Sequence, residues 1–234
     1  MRRMVNHEAN VLQVDRLSPS FVRVELGGPG LRDWTTLDVP DEGCIFRFPG
    51  DEHHRAPNAE RGRWYTVRRI DPGQGRLTVD FITHPGGPGG EWAATAKPGD
   101  QLRIYVQDSW YKRPEEIRWQ WLLGDVAGLP AFARIIEETA GAIPTRAVIE
   151  TAETGDRQQL DGADVTWLHS PDIAAGVSGL IAAVRELPLP DGPGYVYVAG
   201  EAAVTRDVKA YLRHELQLPA ESYDAIGYWR AGAA

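Results

Sequence analysis

The sequence has a single cysteine, no long hydrophobic run and no surplus of positive charge. One cysteine excludes a disulfide within the chain, and the apolar run CIFRF around Cys44 predicts a buried strand thiol. Lys and Arg total 25 against 33 Asp and Glu, a net charge of −8, which disfavours general attraction to nucleic acid or anionic lipid. An anionic ligand would therefore need a local basic pocket.

Targeting and membrane signals are also missing. The opening residues MRRMVNHEANVLQVD carry two arginines but lack the apolar stretch of a secretory signal. No run approaches the roughly 18 apolar residues that a membrane helix needs. We expect a cytoplasmic monomer that neither inserts into a membrane nor binds nucleic acid.

Several catalytic motifs are absent as well. The sequence contains no GxSxG turn for a nucleophilic serine and no GxGxxG dinucleotide fingerprint. His53 and His54 are adjacent rather than spaced as helical metal ligands, so we expect no protein-held metal. Hydrolase chemistry has no visible support.

What is present is a chain of 234 residues whose pattern changes halfway. Up to about residue 108, short strands are separated by Gly and Pro, and several alternate with period 2, which predicts an antiparallel β-barrel. They include VLQVDRL at 11, FVRVELGG at 21, WYTVRRID at 64 and RLTVDFITH at 76. From residue 119, strands such as WQWLLGD alternate with helical segments such as IAAGVSGLIAAVREL, which predicts a Rossmann-like α/β domain with a parallel sheet. We place the two domains at residues 1–112 and 113–234.

The run RWYTVRR, residues 63–69, is the first candidate site. In a regular strand, alternation puts Arg63 and Tyr65 on one face and Thr66 on the other. An arginine fork suits a phosphate, and a phenol ring suits stacking on a planar cofactor. Taken alone, the run is equally compatible with a barrel strand whose arginines face solvent.

The stretch HPGGPGGEWA, residues 84–93, is the second candidate. Its four glycines precede a short Ala-rich segment, and backbone N–H groups at a helix N-terminus can receive a pyrophosphate. A flexible hairpin loop is the alternative interpretation.

Two strand ends in the second half form a third candidate. LLGD ends at Gly124 and Asp125, and VAGEAAV contains Gly200 and Glu201. Ligands of open α/β sheets bind at the carboxyl ends of strands, so these turns predict one nucleotide crevice. A carboxylate at such a turn can instead cap the next helix.

These motifs occur in a familiar order: R-x-Y-T-x-R at 63–68, H-x(2)-G-P-G-G-x-W-A at 84–93, LLGD with LPA at 122–131, AGE at 199–201 and GYWR at 227–230. The sequence resembles the siderophore-interacting protein family, a branch of the ferredoxin-reductase-like flavoproteins, from about Val11 to Gly232. The resemblance implies an FAD-binding barrel followed by an NAD(P)-type domain that acts on ferric siderophores.

The resemblance also implies roles for residues. The flavin would carry the chemistry, so no side chain is assigned as catalytic. Thr66 would bind near the reactive edge of the flavin, which requires the strand to twist or end there. The implied FAD-binding residues are Arg63, Tyr65, Thr66, His84, Gly87, Gly89, Gly90, Trp92, Tyr228 and Trp229. Gly124, Asp125, Gly200 and Glu201 would bind NADPH or NADH. Arg68, Lys112, Arg113 and Arg230 are the candidate cations for an anionic substrate.

One departure from the family pattern concerns the electron donor. The family usually reads GDETALPA, whereas this chain reads GDVAGLPA, and Ala127 removes a hydroxyl that could cap the helix and contact a nucleotide. Reduced ferredoxin therefore stands beside NAD(P)H as a possible donor. Two other functions remain open: a flavin- or siderophore-binding protein without turnover, and a flavoprotein recruited to a biosynthetic reaction.

Overall fold

The computed structural model describes residues 2–48, 62–83 and 87–232. These residues form two compact units, one that ends at Ser109 and one that begins at Trp110. The first contains an antiparallel sheet and the second a parallel sheet with helices. The expected fold class, a barrel followed by a Rossmann-like domain, is confirmed.

The first unit consists mainly of strands. Among the described residues, its elements are β1 (Arg3–Arg16), β2 (Phe21–Gly27), β3 (Gly43–Arg47), β4 (Arg63–Thr66), β5 (Arg69–Asp71), β6 (Arg76–Ile82), α1 (Pro88–Thr95) and β7 (Gln101–Asp108).

The strands follow the order β4-β3-β7-β1-β2-β6-β5, and every pairing is antiparallel. The two edges of the sheet approach each other between β4 and β5. There the N–H of Val67 donates to the Glu42 carbonyl beside β3 at 2.8 Å, and the N–H of Arg68 donates to the Thr78 carbonyl of β6 at 2.9 Å. The sheet thus curls around one core into which Phe46, Phe81 and their neighbours point.

Two strand predictions differ from the structure. β1 begins at Arg3 rather than at Val11, because the polar residues before Val11 pair with β7. That stretch keeps the period-2 pattern, because Val5 and Ala9 turn inward while Asn6, Glu8 and Asn10 are exposed, so its sequence already indicates a longer strand. The predicted strand WYTVRRID divides into β4 and β5, since its middle residues cross from one edge of the sheet to the other.

The second unit alternates strands and helices. Its elements are β8 (Trp119–Asp125), α2 (Leu129–Thr139), β9 (Thr145–Thr151), β10 (Asp164–His169), α3 (Leu180–Arg185), β11 (Gly194–Glu201), α4 (Ala202–His214) and β12 (Tyr223–Trp229).

Its sheet is fully parallel, in the order β10-β9-β8-β11-β12. β8 and β11 are buried along their whole length, as strands covered on both faces should be. The chain order reverses between β8 and β11, and the crevice outside their carboxyl ends is the usual ligand site of such folds. None of the helices in the described part of the chain is long and apolar enough to span a membrane.

The helix predicted over IAAGVSGLIAAVREL is shorter than expected. A 3-10 turn at Ile173–Ala175 ends at Gly176, whose φ is 82°, and α3 begins only at Leu180. A left-handed residue cannot continue a right-handed helix, so the glycine stops the first turn.

Candidate functional site

Tyr65 lies on the edge strand β4, half-buried beside an aromatic cluster. Its ring centroid is 4.5 Å from that of Phe81 and 6.0 Å from that of Phe48. Burial raises the pKa of the Tyr65 phenol to about 12, and the positive charge of Arg63 opposes that rise. Arg63 therefore lies close enough to Tyr65 for its charge to act on the phenol.

The N-terminus of α1 packs directly on this phenol. The helix begins at Pro88 after Gly87, and a Cβ added to Gly89 would lie 2.1 Å from Tyr65 Oη. Only glycine fits there, because a Cβ would take the place of the phenol oxygen. Trp92, one turn along the helix, joins the cluster at 5.4 Å from the ring of Phe48.

Other residues of this predicted site differ in their accessibility. β4 ends at Thr66, and Thr66 is buried. A hydroxyl that binds near the reactive edge of the flavin requires the strand to twist or end at this residue. Gly90 is buried in α1, whereas His84 lies outside the described residues. The site thus has a half-exposed side, at Arg63 and Tyr65, and a buried side.

Arg68 is buried rather than presented to solvent. Its side chain is 6% exposed, and its Nε lies 3.8 Å from a carboxylate oxygen of Asp80. Asp80 also accepts two hydrogen bonds from Arg23, at 2.6 and 2.7 Å. The carboxylate of Asp80 is therefore shared between two arginines, an arrangement suited to the barrel wall.

The barrel residues fit the FAD that the resemblance implies. A guanidinium, an aromatic ring and the positive end of a helix meet at one place, and Gly89 lets the backbone approach the ring closely. A pyrophosphate needs the first and the last of these, and a flavin ring needs the second.

In the second unit, the carboxylate of Asp125 accepts three hydrogen bonds at the edge of the crevice. The residue is 3% exposed and ends β8. One oxygen accepts the N–H of Ala127 at 2.7 Å, and the other accepts the N–H of Glu201 at 2.8 Å and the indole N–H of Trp229 at 2.9 Å. Burial raises its pKa to about 6, although these three hydrogen bonds lower it.

Glu201 is the counterpart of Asp125 at the end of β11. One carboxylate oxygen accepts the N–H groups of Ala203 and Val204 at 2.5 and 2.9 Å and caps α4, and the other accepts the N–H of Ala231 at 3.1 Å. Burial acts to raise the pKa of Glu201, but the backbone donors outweigh it and the pKa lies below its usual value. Glu201 therefore caps α4, which is the alternative role predicted for a carboxylate at such a turn.

Glycines let the two strand ends come together. A Cβ at Gly124 would lie 1.8 Å from the carbonyl oxygen of Ala199, and one at Gly200 would lie 2.5 Å from an oxygen of Asp125. Gly124 and Gly200 therefore serve close packing within the crevice.

Sequence reasoning missed Glu150, the next-to-last residue of β9, which pairs with Asp125 in the sheet register. It is 1% exposed and accepts hydrogen bonds from Ser170, Ser178 and the N–H of Gly179, at 2.6 to 2.8 Å. An acid near the end of the apolar strand RAVIET was the available signal. Glu150 anchors the loop between β10 and α3.

The remaining predicted residues lie at opposite ends of the sheet. Tyr228 donates to or accepts from the hydroxyl of Tyr197 at 3.1 Å, near the carboxyl end, where exposed Arg230 follows β12. Lys112 is exposed, and its backbone N–H donates to the hydroxyl of Tyr195 and to the carboxylate of Asp224. These two residues lie near the amino-terminal ends of β11 and β12.

Arg113 adjoins Lys112, half-buried, and donates to the carbonyl of Pro114 at 3.2 Å. The second unit therefore does not gather Lys112, Arg113 and Arg230 into one cluster. Lys112 contacts Asp224 at the start of β12, and about six residues of strand, or roughly 20 Å, separate Asp224 from Arg230.

Comparison with known families gives two matches that together span most of the chain. Residues 10–107 match the siderophore-interacting FAD-binding domain, and residues 117–232 match the siderophore-interacting protein domain. A siderophore utilization protein from T. fusca has a similar crystal structure, with 32% identity, a TM-score of 0.84, and coverage of 100% of this chain and 98% of that one.

Two curated relatives differ greatly in length. The NADPH-dependent ferric-chelate reductase of Escherichia coli is 27% identical over 96% of this chain and 92% of its own length. The mycobactin import ATP-binding/permease protein IrtA of Mycobacterium tuberculosis is 30% identical over 98% of this chain. This chain spans about a quarter of the length of that permease, 26%.

Proposed function

Because the chain belongs to the siderophore-interacting protein family, we propose that it binds FAD and reduces the iron of ferric siderophores. The electrons come from NAD(P)H or from reduced ferredoxin. The protein acts as a monomer in the cytoplasm and releases Fe(II). The observation that carries the proposal is the assembly of Arg63, Tyr65 and the α1 N-terminus on the barrel.

Each member of this assembly has a separate task. The Arg63 guanidinium and the N-terminus of α1, from Gly87 to Gly90, bind the pyrophosphate, since both are positive and both present N–H donors. The Tyr65 ring would stack on or edge the isoalloxazine, and the Thr66 hydroxyl would bind near the reactive edge of the flavin. Trp92 supports the ring cluster, and His84 flanks the cofactor.

The chemistry needs little from the protein beyond binding and orientation. Siderophores hold Fe(III) with hard oxygen donors, and reduction to the softer Fe(II) weakens that hold. Bound FAD would accept two electrons from a donor and supply them singly to iron. The chain's own residues orient the cofactor and exclude water around Tyr65, Phe48 and Phe81, and none of them has to ligate the metal.

The substrate proposal depends on local charge, because the whole chain carries −8. Ferric tris-catecholates are anionic, so exposed Arg230, Lys112 and half-buried Arg113 are the candidate contacts in the second unit. Arg68 contributes less to substrate binding, because it is buried and already paired with Asp80. We assign it to support of the β4–β5 crossing.

A protein that binds flavin or a ferric complex without turnover is the second candidate. The observation that favours it is the use of Asp125 and Glu201 for the chain's own N–H groups, which leaves the nucleotide crevice with fewer polar groups to offer. Recruitment to a biosynthetic reaction would use the same flavin site.

The proposal is tested by loading the purified protein with FAD and recording its visible spectrum. NADPH, NADH or reduced ferredoxin is then added anaerobically, followed by a ferric siderophore and a ferrous chelator. Bleaching of the flavin and appearance of the Fe(II) complex are expected. Failure to load FAD would overturn the proposal, and a yellow protein inert to NADPH, NADH and reduced ferredoxin would favour the binding protein.

A further inference from the structure

The segment Trp229–Ala231, here called the closing segment, is fastened at two points to the carboxyl edge of the parallel sheet. The indole of Trp229 does not stop at the neighbouring strand β11 but reaches Asp125 at the end of β8, 2.9 Å away. Two residues on, the N–H of Ala231 donates to the Glu201 carboxylate at 3.1 Å. Both acceptors are carboxylates that are 3% exposed.

A third contact gives the direction of the closing segment. A Cβ added to Gly176 would lie 3.6 Å from the Cβ of Ala231. Gly176 belongs to the loop that follows β10, and β10 and β12 are the two opposite edges of the sheet. The segment therefore leaves β12, passes the ends of β11 and β8, and approaches the loop beyond β10.

This path crosses the place where the strand order reverses. In open α/β sheets a dinucleotide binds in the crevice outside the carboxyl ends at that point, between the turns that follow β8 and β11 in this fold. The residues on either side of the crevice, Asp125 and Glu201, hold the closing segment instead of facing an empty cleft.

We propose that the closing segment is a lid over the dinucleotide crevice, that Asp125 and Glu201 are its latch, and that NADPH or NADH binds only after the lid opens. The inference rests on the proposed function, because it concerns how a nicotinamide dinucleotide gains access to this reductase. Asp125 and Glu201 are positioning residues, and their task is to set the fraction of molecules with an open crevice.

The energetics follow from population shift. A ligand that binds only the open form has an apparent Kd equal to its intrinsic Kd divided by the open fraction. A hydrogen bond to a charged acceptor stabilises the closed form enough that its loss raises the open fraction about tenfold. Opening one half of the latch should therefore tighten dinucleotide binding by about that factor.

Two substitutions open the latch without touching its carboxylates. Trp229→Phe keeps an aromatic ring but removes the indole N–H, and Ala231→Pro removes the backbone N–H that donates to Glu201. Ala231→Ser keeps that N–H and is the matched control. The FAD-loaded proteins are titrated with NADP+ and NAD+ by calorimetry, which needs no turnover.

We expect each opening variant to bind one of the dinucleotides about tenfold more tightly than the unmodified chain, and the double variant more tightly still. The Ala231→Ser protein should match the unmodified chain. Unchanged or weaker binding by Trp229→Phe, or no binding by any variant, would overturn the lid. Trp229→Phe is mild enough to keep the test valid if the proline variant fails to fold.

A parallel measurement separates this inference from the proposed function. The same proteins are reduced with stoichiometric dithionite, so that no free reductant remains to act on the iron, and are given a ferric siderophore, a reaction that bypasses the dinucleotide crevice. If dithionite drives no Fe(II) release but the opening variants bind dinucleotide more tightly, the reductase function falls and the lid stands. If the reduced proteins release Fe(II) but the opening variants bind dinucleotide no more tightly, the lid is refuted and the reductase function stands.

Discussion

The two units of this protein use their polar residues in opposite ways. The barrel unit, up to residue 109, has 14 basic and 15 acidic residues, and keeps Arg63 half-exposed next to Tyr65. The α/β unit has 11 basic and 18 acidic residues, and its crevice acids Asp125, Glu150 and Glu201 all bind donors of their own unit. A candidate ligand site is thus presented in one unit and internally satisfied in the other.

The largest effect should come from the closest backbone approach in the α/β unit. Gly124→Ala would place a Cβ 1.8 Å from the carbonyl of Ala199, where only movement of the strands can relieve the clash. We expect a loss of about 3 kcal/mol in the free energy of unfolding of that unit. Denaturant unfolding followed by tryptophan fluorescence measures it.

The matched control lies in the other unit. In Gly30→Ala the nearest atom to the new Cβ would be 3.5 Å away, an ordinary contact, so stability should hardly change. Equal stability of the two variants would contradict the tight packing of β8 on β11.

The second effect concerns Arg63, the half-exposed cation beside Tyr65. Arg63→Ala should weaken FAD binding about 10- to 100-fold, because a charge-assisted contact to the pyrophosphate is lost while the fold is unaffected. Arg69 is an exposed arginine on β5, the next strand along the chain and the opposite edge of the sheet, and Arg69→Ala is the control that should retain full affinity. FAD affinity is measured by fluorescence titration, and an unchanged affinity for Arg63→Ala would remove the main support for the flavin site.

The third effect is a pH dependence confined to the α/β unit. The pKa of Asp125 is raised by burial from 3.8 to about 6, so the folded state binds its proton more strongly than the unfolded state does. The associated stability is present below the unfolded value and is lost as the pH rises through about 6. Between pH 5 and pH 7 this amounts to about 1.4 kcal/mol.

Asp125→Asn should abolish that part of the pH dependence. Unfolding free energies of the two proteins, measured at pH 5 and pH 7, give the comparison. A pH slope that is identical in both proteins would mean that Asp125 does not titrate in this range. The neighbouring acids Glu150 and Glu201 remain in both proteins and cancel from the difference.

The smallest effect is expected for the cations far from the crevice. The double charge reversal Lys112→Glu with Arg113→Glu should weaken binding of an anionic ferric siderophore about two- to threefold, and less at high salt. The effect is small because water and salt screen charges at the protein surface. A neutral ferric complex is the control. Equal weakening of both ligands would place the substrate pocket elsewhere.

Much of the fold could be predicted from local patterns. The alternation of FVRVELG and RLTVDFI predicts β2 and β6, and the apolar run WQWLLGD predicts a buried parallel strand. The failures have different causes. The longer β1 is visible in the alternation of Val5 and Ala9 with the exposed residues between them, and its pairing with β7 completes the strand. The interruption before α3 depends on the left-handed Gly176, which local periodicity does not show.

The sequence by itself determined the two-domain fold, the strand that carries Arg63 and Tyr65, and the glycine-rich start of α1, because these follow from periodicity and from short-range backbone geometry. Only the tertiary structure decided what Asp125 does. Its partners Glu201 and Trp229 are 76 and 104 residues away in sequence, and a carboxylate at a strand end looks the same whether it awaits a ligand or holds its own chain. Hydrogen-bond partners at such separations are set by the packing of strands, which no local pattern encodes.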